Sequence, residues 1–134
     1  MATVIFKTSA LTLPGVLKHA KHALHGEPSA LSVGDTILIA QTLEDLRTSQ
    51  RQIRHKMIFV RARMDTQNET DDIWGAHWPW IIDGSNLQKL TRPFNMRAVQ
   101  VTKTNYGQGG TVVYVDPLDE QALFTGGYLN CIGE

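Results

Sequence analysis

The chain has a single cysteine, Cys131. One thiol cannot close an internal disulfide, which excludes a small secreted scaffold held together by cross-links. The opening MATVIFKTSA has no basic stretch ahead of a long apolar run, so no secretory leader is read there. No window approaches the roughly 18 apolar residues a spanning helix needs, so no membrane partner is expected. Charge of one sign is not in excess either: 13 basic residues face 13 acidic ones. That balance excludes a protein that coats nucleic acid by bulk charge, but not one with a local basic face. Common catalytic motifs are missing, with no G-x-S-x-G and no H-E-x-x-H. NYGQGG, residues 105 to 110, lacks the lysine and hydroxyl of a phosphate loop and suits a hairpin turn better. The expectation is a cytoplasmic protein that is not an enzyme and uses no cofactor or metal.

What is present fits one ordinary globular domain: 134 residues, 42% hydrophobic and 19% charged. TVIFK (3 to 7) suits an opening strand. LTLPGVLKHAKHALHG suits a helix, with Pro14 in its first turn and Gly26 at its stop. SVGDTILIAQT places a turn at Gly34 and Asp35 before a strand. Residues 43 to 52 suit a polar connector, and 53 to 64 a long strand of uncertain register. DTQNETDD suits a polar loop, and PWIID a short strand ending near Gly84. LQKLTRPFNM and RAVQVTKT suit further extended pieces, TVVYVD a β-branched strand, and PLDEQALFTGG a short closing helix. This order predicts an α+β arrangement: a curled sheet or small open barrel with a helix on its flank.

All three tryptophans fall within DDIWGAHWPWIIDG: Trp74, Trp78 and Trp80. Trp78 and Trp80 straddle Pro79, so an extended segment would point both to one side. Two or three indoles around a gap bind flat or methylated groups by stacking, worth roughly 1–3 kcal/mol per base. The same cluster would also serve as core. His77, between the tryptophans, suits either a ligand contact or a turn. His19, His22 and His25 recur every third residue beside Lys18 and Lys21, which suits a solvated basic helix face better than a metal site. Arg51, Arg54, Lys56, Arg61 and Arg63 lie in a stretch without acids. On a strand they would face phosphates, or form a solvated face that blunts an edge.

Three stretches together resemble a family. VIFKTSALTLPGVLKHA is similar to the opening of EVE and YTH domains: an aromatic-bearing strand, a lysine, small hydroxyl residues, then a helix. SVGDTILIAQT resembles their Gly-Asp turn before an apolar strand, and WGAHWPWIIDGSNLQKLTRPFNM their tryptophan-bearing run. These domains belong to the PUA-like superfamily, and similar ones form the N-terminal DNA-reading modules of some McrBC-type restriction systems. The resemblance implies a PUA-like pseudo-barrel with flanking helices and a pocket for one extruded base. It matches Lys7, Thr8 and Ser9 to the lysine-hydroxyl edge of that pocket. It matches Trp78 and Trp80 to cage aromatics with Trp74 beside them, and Asn95 to the Asn-Pro end in altered order. The family's tryptophan after the first helix has no counterpart in HGEPSALSVGD.

The expected function is recognition of a modified, methylated base in nucleic acid, DNA favoured over RNA, by flipping it into an aromatic pocket. Extrusion costs a few kcal/mol, which stacking and edge contacts offset. Residues 1–134 are expected to form one such domain, a module of a larger protein or system with other subunits. Two other classes remain open: a small PUA-like or ASCH-like hydrolase of RNA or a nucleotide, using His55 or His77 with Lys7, and a protein-interaction module with a tryptophan hot spot.

Overall fold

The computed structural model describes residues 2–9, 11–28, 31–41, 52–95, 101–104 (backbone only) and 112–132. Seven strands form one sheet in the order β2-β5-β4-β3-β1-β7-β6. They are β1 (Thr3–Thr8), β2 (Lys21–Leu24), β3 (Thr36–Gln41), β4 (Gln52–Met64), β5 (Trp80–Asn95), β6 (Val101–Thr104) and β7 (Val112–Val115). Helices α1 (Leu13–His19), α2 (Glu69–Trp74) and α3 (Pro117–Thr125) complete the fold. The β1–β3 pair is parallel and every other pairing is antiparallel. The expected α+β curled sheet is therefore present, as a mixed half-barrel.

Alternation along β1 builds two cores. Ile5 packs on one face with Leu38, Ala40, Ile53 and Val113, beneath Leu123 of α3 and the terminal Leu129 and Cys131. Val4 and Phe6 pack on the other with Ile37, Ile39, Met57, Phe59 and Ile82, against Val16 of α1. Each fully buried side chain of this size contributes about 1.5–3 kcal/mol, so the sheet is held from both sides.

β4 changes partners across that divide. Its pairing with β5 shifts register at Ile53/His55, Lys56/Ile58 and Phe59/Arg61. An extra residue sends the following side chains to the other face and raises the twist. Ile53 thus serves the first core while Met57 and Phe59 serve the second.

Three expectations change. The first helix does not run to Gly26: it stops at His19, Ala20 takes left-handed φ 52, and Lys21–Leu24 continue as a strand. Pairing with β5 outweighs the helical spacing of Val16, Leu17, Ala20 and Leu24. The chain turns there because Gly84 lets it approach. Gly84 N donates to Ala20 O at 2.9 Å, and a Cβ on Gly84 would run into Met57 Sδ. β5 does not end at Gly84 but runs on to Asn95 as one bulged strand, with Asn86 at φ 54. DTQNETDD is not all loop, because α2 starts at Glu69. Residues 43 to 51 of the expected connector and the NYGQGG turn lie outside the described residues, and Gln52, expected in the connector, opens β4.

Candidate functional site

At the β2–β5–β4 end, cross-strand partners place Lys21, Asp83 and Arg61 in a row. Asp83 is buried, yet it accepts from Lys21 Nζ at 2.6 Å and from the Nε atoms of Arg61 and Arg63 at 2.7 Å each. Glu69 of α2 grips Arg63 from the other side through both terminal nitrogens. Burial pushes the Asp83 carboxyl upward, but the hydrogen bonds from Arg63, Lys21 and Arg61 outweigh it and hold it well below the usual range. Glu69 and Asp83 together raise the Arg63 guanidinium, and Arg63 in turn lowers Glu69. Three cations meet two carboxylates. Arg61, 65% exposed, keeps its terminal nitrogens toward solvent with no partner among the described residues.

Cross-strand pairing puts Lys56 opposite Leu38, on the face that carries Ile5. Arg61 and Arg63 share that face, because Asp83 and Ile81 oppose them while Ile82 points into the second core. Lys56, Arg61, Arg63 and Lys21 thus form one basic strip. Arg54 is exposed and touches Gln52, and Arg51 lies outside the described residues.

α2 anchors the tryptophan loop beside this strip. The Asp65 side chain is out of solvent contact. It accepts from the backbone amides of Gln67, Glu69 and Thr70 and from the Thr70 hydroxyl. Burial alone would raise its pKa, but these bonds hold it at about 2. Thr70 Oγ1 accepts from Trp78 N at 2.9 Å, and Asp65 N donates to Pro79 O. The backbone around Trp78 is therefore fixed. Its half-buried ring stacks on the exposed His25 at 4.3 Å and 33°, and its indole N–H is buried with no acceptor among the described residues. His77 Nδ1 stands 3.7 Å from Asp65 and 3.8 Å from Asp71.

The other tryptophans pack. Trp80 lies opposite Leu24 and Met64, against the second core. Trp74 donates Nε1–H to Thr12 O at 2.9 Å, which docks α2 on α1. No ring contact joins any two tryptophans among the described residues. Gly15 makes the Trp74 contact: a Cβ there would stand 2.5 Å from Trp74 Nε1 and 2.8 Å from Ile73 Cγ2. Alanine favours a helix by about 1 kcal/mol over glycine, but displacing a packed indole costs about 1–3 kcal/mol. Gly15→Ala is expected to lower stability by about 1 kcal/mol net in urea unfolding and to shift Trp emission. Unchanged emission with higher stability would show that the α1–α2 contact is loose.

The remaining expected site residues divide. Thr8 Oγ1 meets the Nε2 of buried His22 at 3.0 Å. Ser9 Oγ meets Thr12 Oγ1 at 2.9 Å at the start of α1, one residue pair from Trp74. Lys7 stands beside Ala40, on the opposite face from Phe6. His55 aligns with Ile39, on the Phe6 face, so the expected pair of Lys7 and His55 is divided between opposite faces. Asn95 pairs with Gln52 at the far end of the 16-residue β5, so it does not join the tryptophans.

The histidines do not form a solvated helix face. His22 is buried in β2, edge-on to Phe6 at 4.9 Å. Its Nδ1–H donates to Ala23 O at 3.0 Å, which leaves Nε2 as acceptor. Burial lowers its pKa to about 4.

A crystal structure of a Pseudomonas putida protein, determined by the Northeast Structural Genomics Consortium, has this fold. Its TM-score is 0.50 at 19% identity, over 96% of this chain and 100% of that one. That likeness speaks for the fold alone. No family model and no curated protein matches the chain. Among the described residues no helix is long and apolar enough to cross a membrane. None of their His, Cys, Asp and Glu side chains cluster in threes fit to hold a metal ion.

Lys21, Asp83, Glu69, Asp65 and His25 were missed from sequence. A lone aspartate straight after Ile81-Ile82 was a usable signal, since a charge in an apolar strand needs partners. Lys21 and His25 were hidden inside the expected helix.

Proposed function

We propose that this chain is a PUA-like, EVE/YTH-like nucleic-acid-binding domain, a cytoplasmic module that recognises a modified base and favours DNA over RNA. The observation that carries this reading is Trp78. It is a half-buried indole on a fixed backbone, stacked on an exposed imidazole. It sits one α2 residue away from the Glu69–Arg63 pair of the basic strip. A base placed on this ring gains stacking energy. The free end of Arg61 and the remaining protons of Lys21 suit flanking phosphates.

Tryptophan fluorescence during titration with short duplexes tests the reading, using unmodified, 6-methyladenine and 5-methylcytosine strands at moderate salt. Selective quenching by one modified duplex is expected. Trp78→Ala should weaken that duplex by about 1–3 kcal/mol. Arg61→Ala should weaken all duplexes alike and reduce the salt slope by about one. Full affinity in Trp78→Ala would sink the pocket assignment. Silence from every strand would favour the protein-interaction reading.

A further inference from the structure

The outer face of α3 is apolar and open. The helix buries Leu123 against the first core, yet Leu118 is 78% exposed and Phe124 53%. At about 3.6 residues per turn, Gln121 and Thr125 form the midline of the outward face, with Leu118 and Ala122 on one flank and Phe124 on the other. All five are exposed and none is charged. A helix apolar on its solvent side as well as its core side suits burial against a further surface. We propose that this surface is the α3 of a second copy of the chain, packed antiparallel about a two-fold axis at Gln121.

Charge complementarity selects that occupant. In a two-fold contact one patch serves both copies, so it has to carry both signs. Acid stands at the start of α3, with Asp116 at the cap and Asp119 and Glu120 in the first turn. The helix itself contains no basic residue. β5 brings the cation to its other end, where Arg92 Nη2 donates to Gly126 O at 2.8 Å. The guanidinium lies 5.4 Å from the centre of the exposed Tyr128 ring, which Phe94 braces edge-on at 5.5 Å. Arg92 is thus held at the C-terminus of α3.

The apolar and the charged features share one midpoint. Leu118 and Phe124 lie equally far from Gln121 along the helix, and so do Asp116 and Gly126. An antiparallel pair centred on Gln121 brings Leu118 level with the second copy's Phe124 across the seam. It also brings Asp116 level with the second copy's Gly126, where Arg92 sits. The two helix dipoles then oppose one another, which favours the antiparallel sense. A different protein would have to present the same features in reverse order, whereas a second copy has them already. One short helix is smaller than the roughly 800 Å² per partner of a standard interface, so a weak dimer is expected, with Kd on the order of 50 μM.

Sedimentation equilibrium of the full chain from about 5 to about 500 μM brackets that constant. A reversible monomer–dimer equilibrium is expected, weakened a few-fold by about 0.5 M sodium chloride. Leu118→Asp and Phe124→Asp should each raise Kd at least about tenfold, with folding checked by circular dichroism. Arg92→Gln should remove most of the salt dependence. Gln121→Cys gives the geometric readout, because a residue on the axis meets its own copy. It should form a disulfide-linked dimer on mild oxidation, while Met64→Cys, exposed at the far end of β4, should not. The native Cys131 is buried and should not interfere. A monomer at every concentration would overturn the proposal. So would a dimer that persists in both Leu118→Asp and Phe124→Asp, or Gln121→Cys cross-linking no faster than Met64→Cys. The proposal is independent of the Trp78 reading, and neither outcome bears on it.

Discussion

Between pH 6.5 and pH 4 the protein is expected to lose about 3 kcal/mol of stability from His22 alone. The imidazole is fully buried with Phe6 against its edge, and burial lowers its pKa from 6.5 to about 4. The unfolded chain takes up a proton near pH 6.5 while the folded chain resists until about 4. Across that window the unfolded state binds more protons, so stability rises with pH and falls on acidification. About 2 kcal/mol of the loss should be present by pH 5. Asp83 and Asp65 add little above about pH 5, because the unfolded carboxylates take up protons only as pH nears their ordinary value. His55, lowered by burial and by Lys89 and Arg54, adds to the slope with the same sign. Urea unfolding at pH 7 and pH 4.5 reads the effect. His22→Gln should be less stable at pH 7, since Thr8 and Ala23 lose a matched partner, and should lose the His22 share of the acid slope while the part from His55 remains. A wild type as stable at pH 4.5 as at pH 7 would show that water or a rearrangement reaches the ring.

Asp83→Asn should be the most damaging single substitution at the basic strip. The carboxylate is buried and holds three cations. Without it Lys21 and Arg63, whose side chains are 27% and 26% exposed, face one another unshielded. Breaking a buried pair costs about 3–5 kcal/mol, and the low end applies because these cations retain some water. For a chain of this length that corresponds to about 10 °C in Tm. Arg63 keeps Glu69, so Asp83→Asn with Glu69→Gln should cost more than the two separate losses together. The sign with pH follows from the depressed Asp83 pKa. Its contribution is present above the ordinary aspartate range and is lost as pH falls through its lower folded value. A cost under about 1 kcal/mol would mean that the cluster behaves as solvated surface pairs.

How much of this was legible follows from the length scale of each interaction. The β-branched run Val112–Val115 and the apolar Thr36–Gln41 are strands because their own residues suit a pleated, buried surface. Pro117 and the Asp116 side chain, which accepts from Leu118 N, start α3 from local chemistry. The segment after α1 was misread because Val16, Leu17, Ala20 and Leu24 have helical spacing, whereas His22 is buried only through strand partners 60 residues away. The bulges of β4 and β5 were equally hidden, since a register shift belongs to a pair of strands and not to either alone.

By itself the sequence determined the α+β class, most of the strands, and the grouping of tryptophans and basic residues, because short-range patterning and backbone chemistry settle these. Only the tertiary structure decided which tryptophan packs and which stays half open. It also drew Lys21, Asp83 and Glu69 to the basic strip and left Asn95 at the far end of β5. Those outcomes depend on strand order and register, and both emerge only when distant segments bury their faces together.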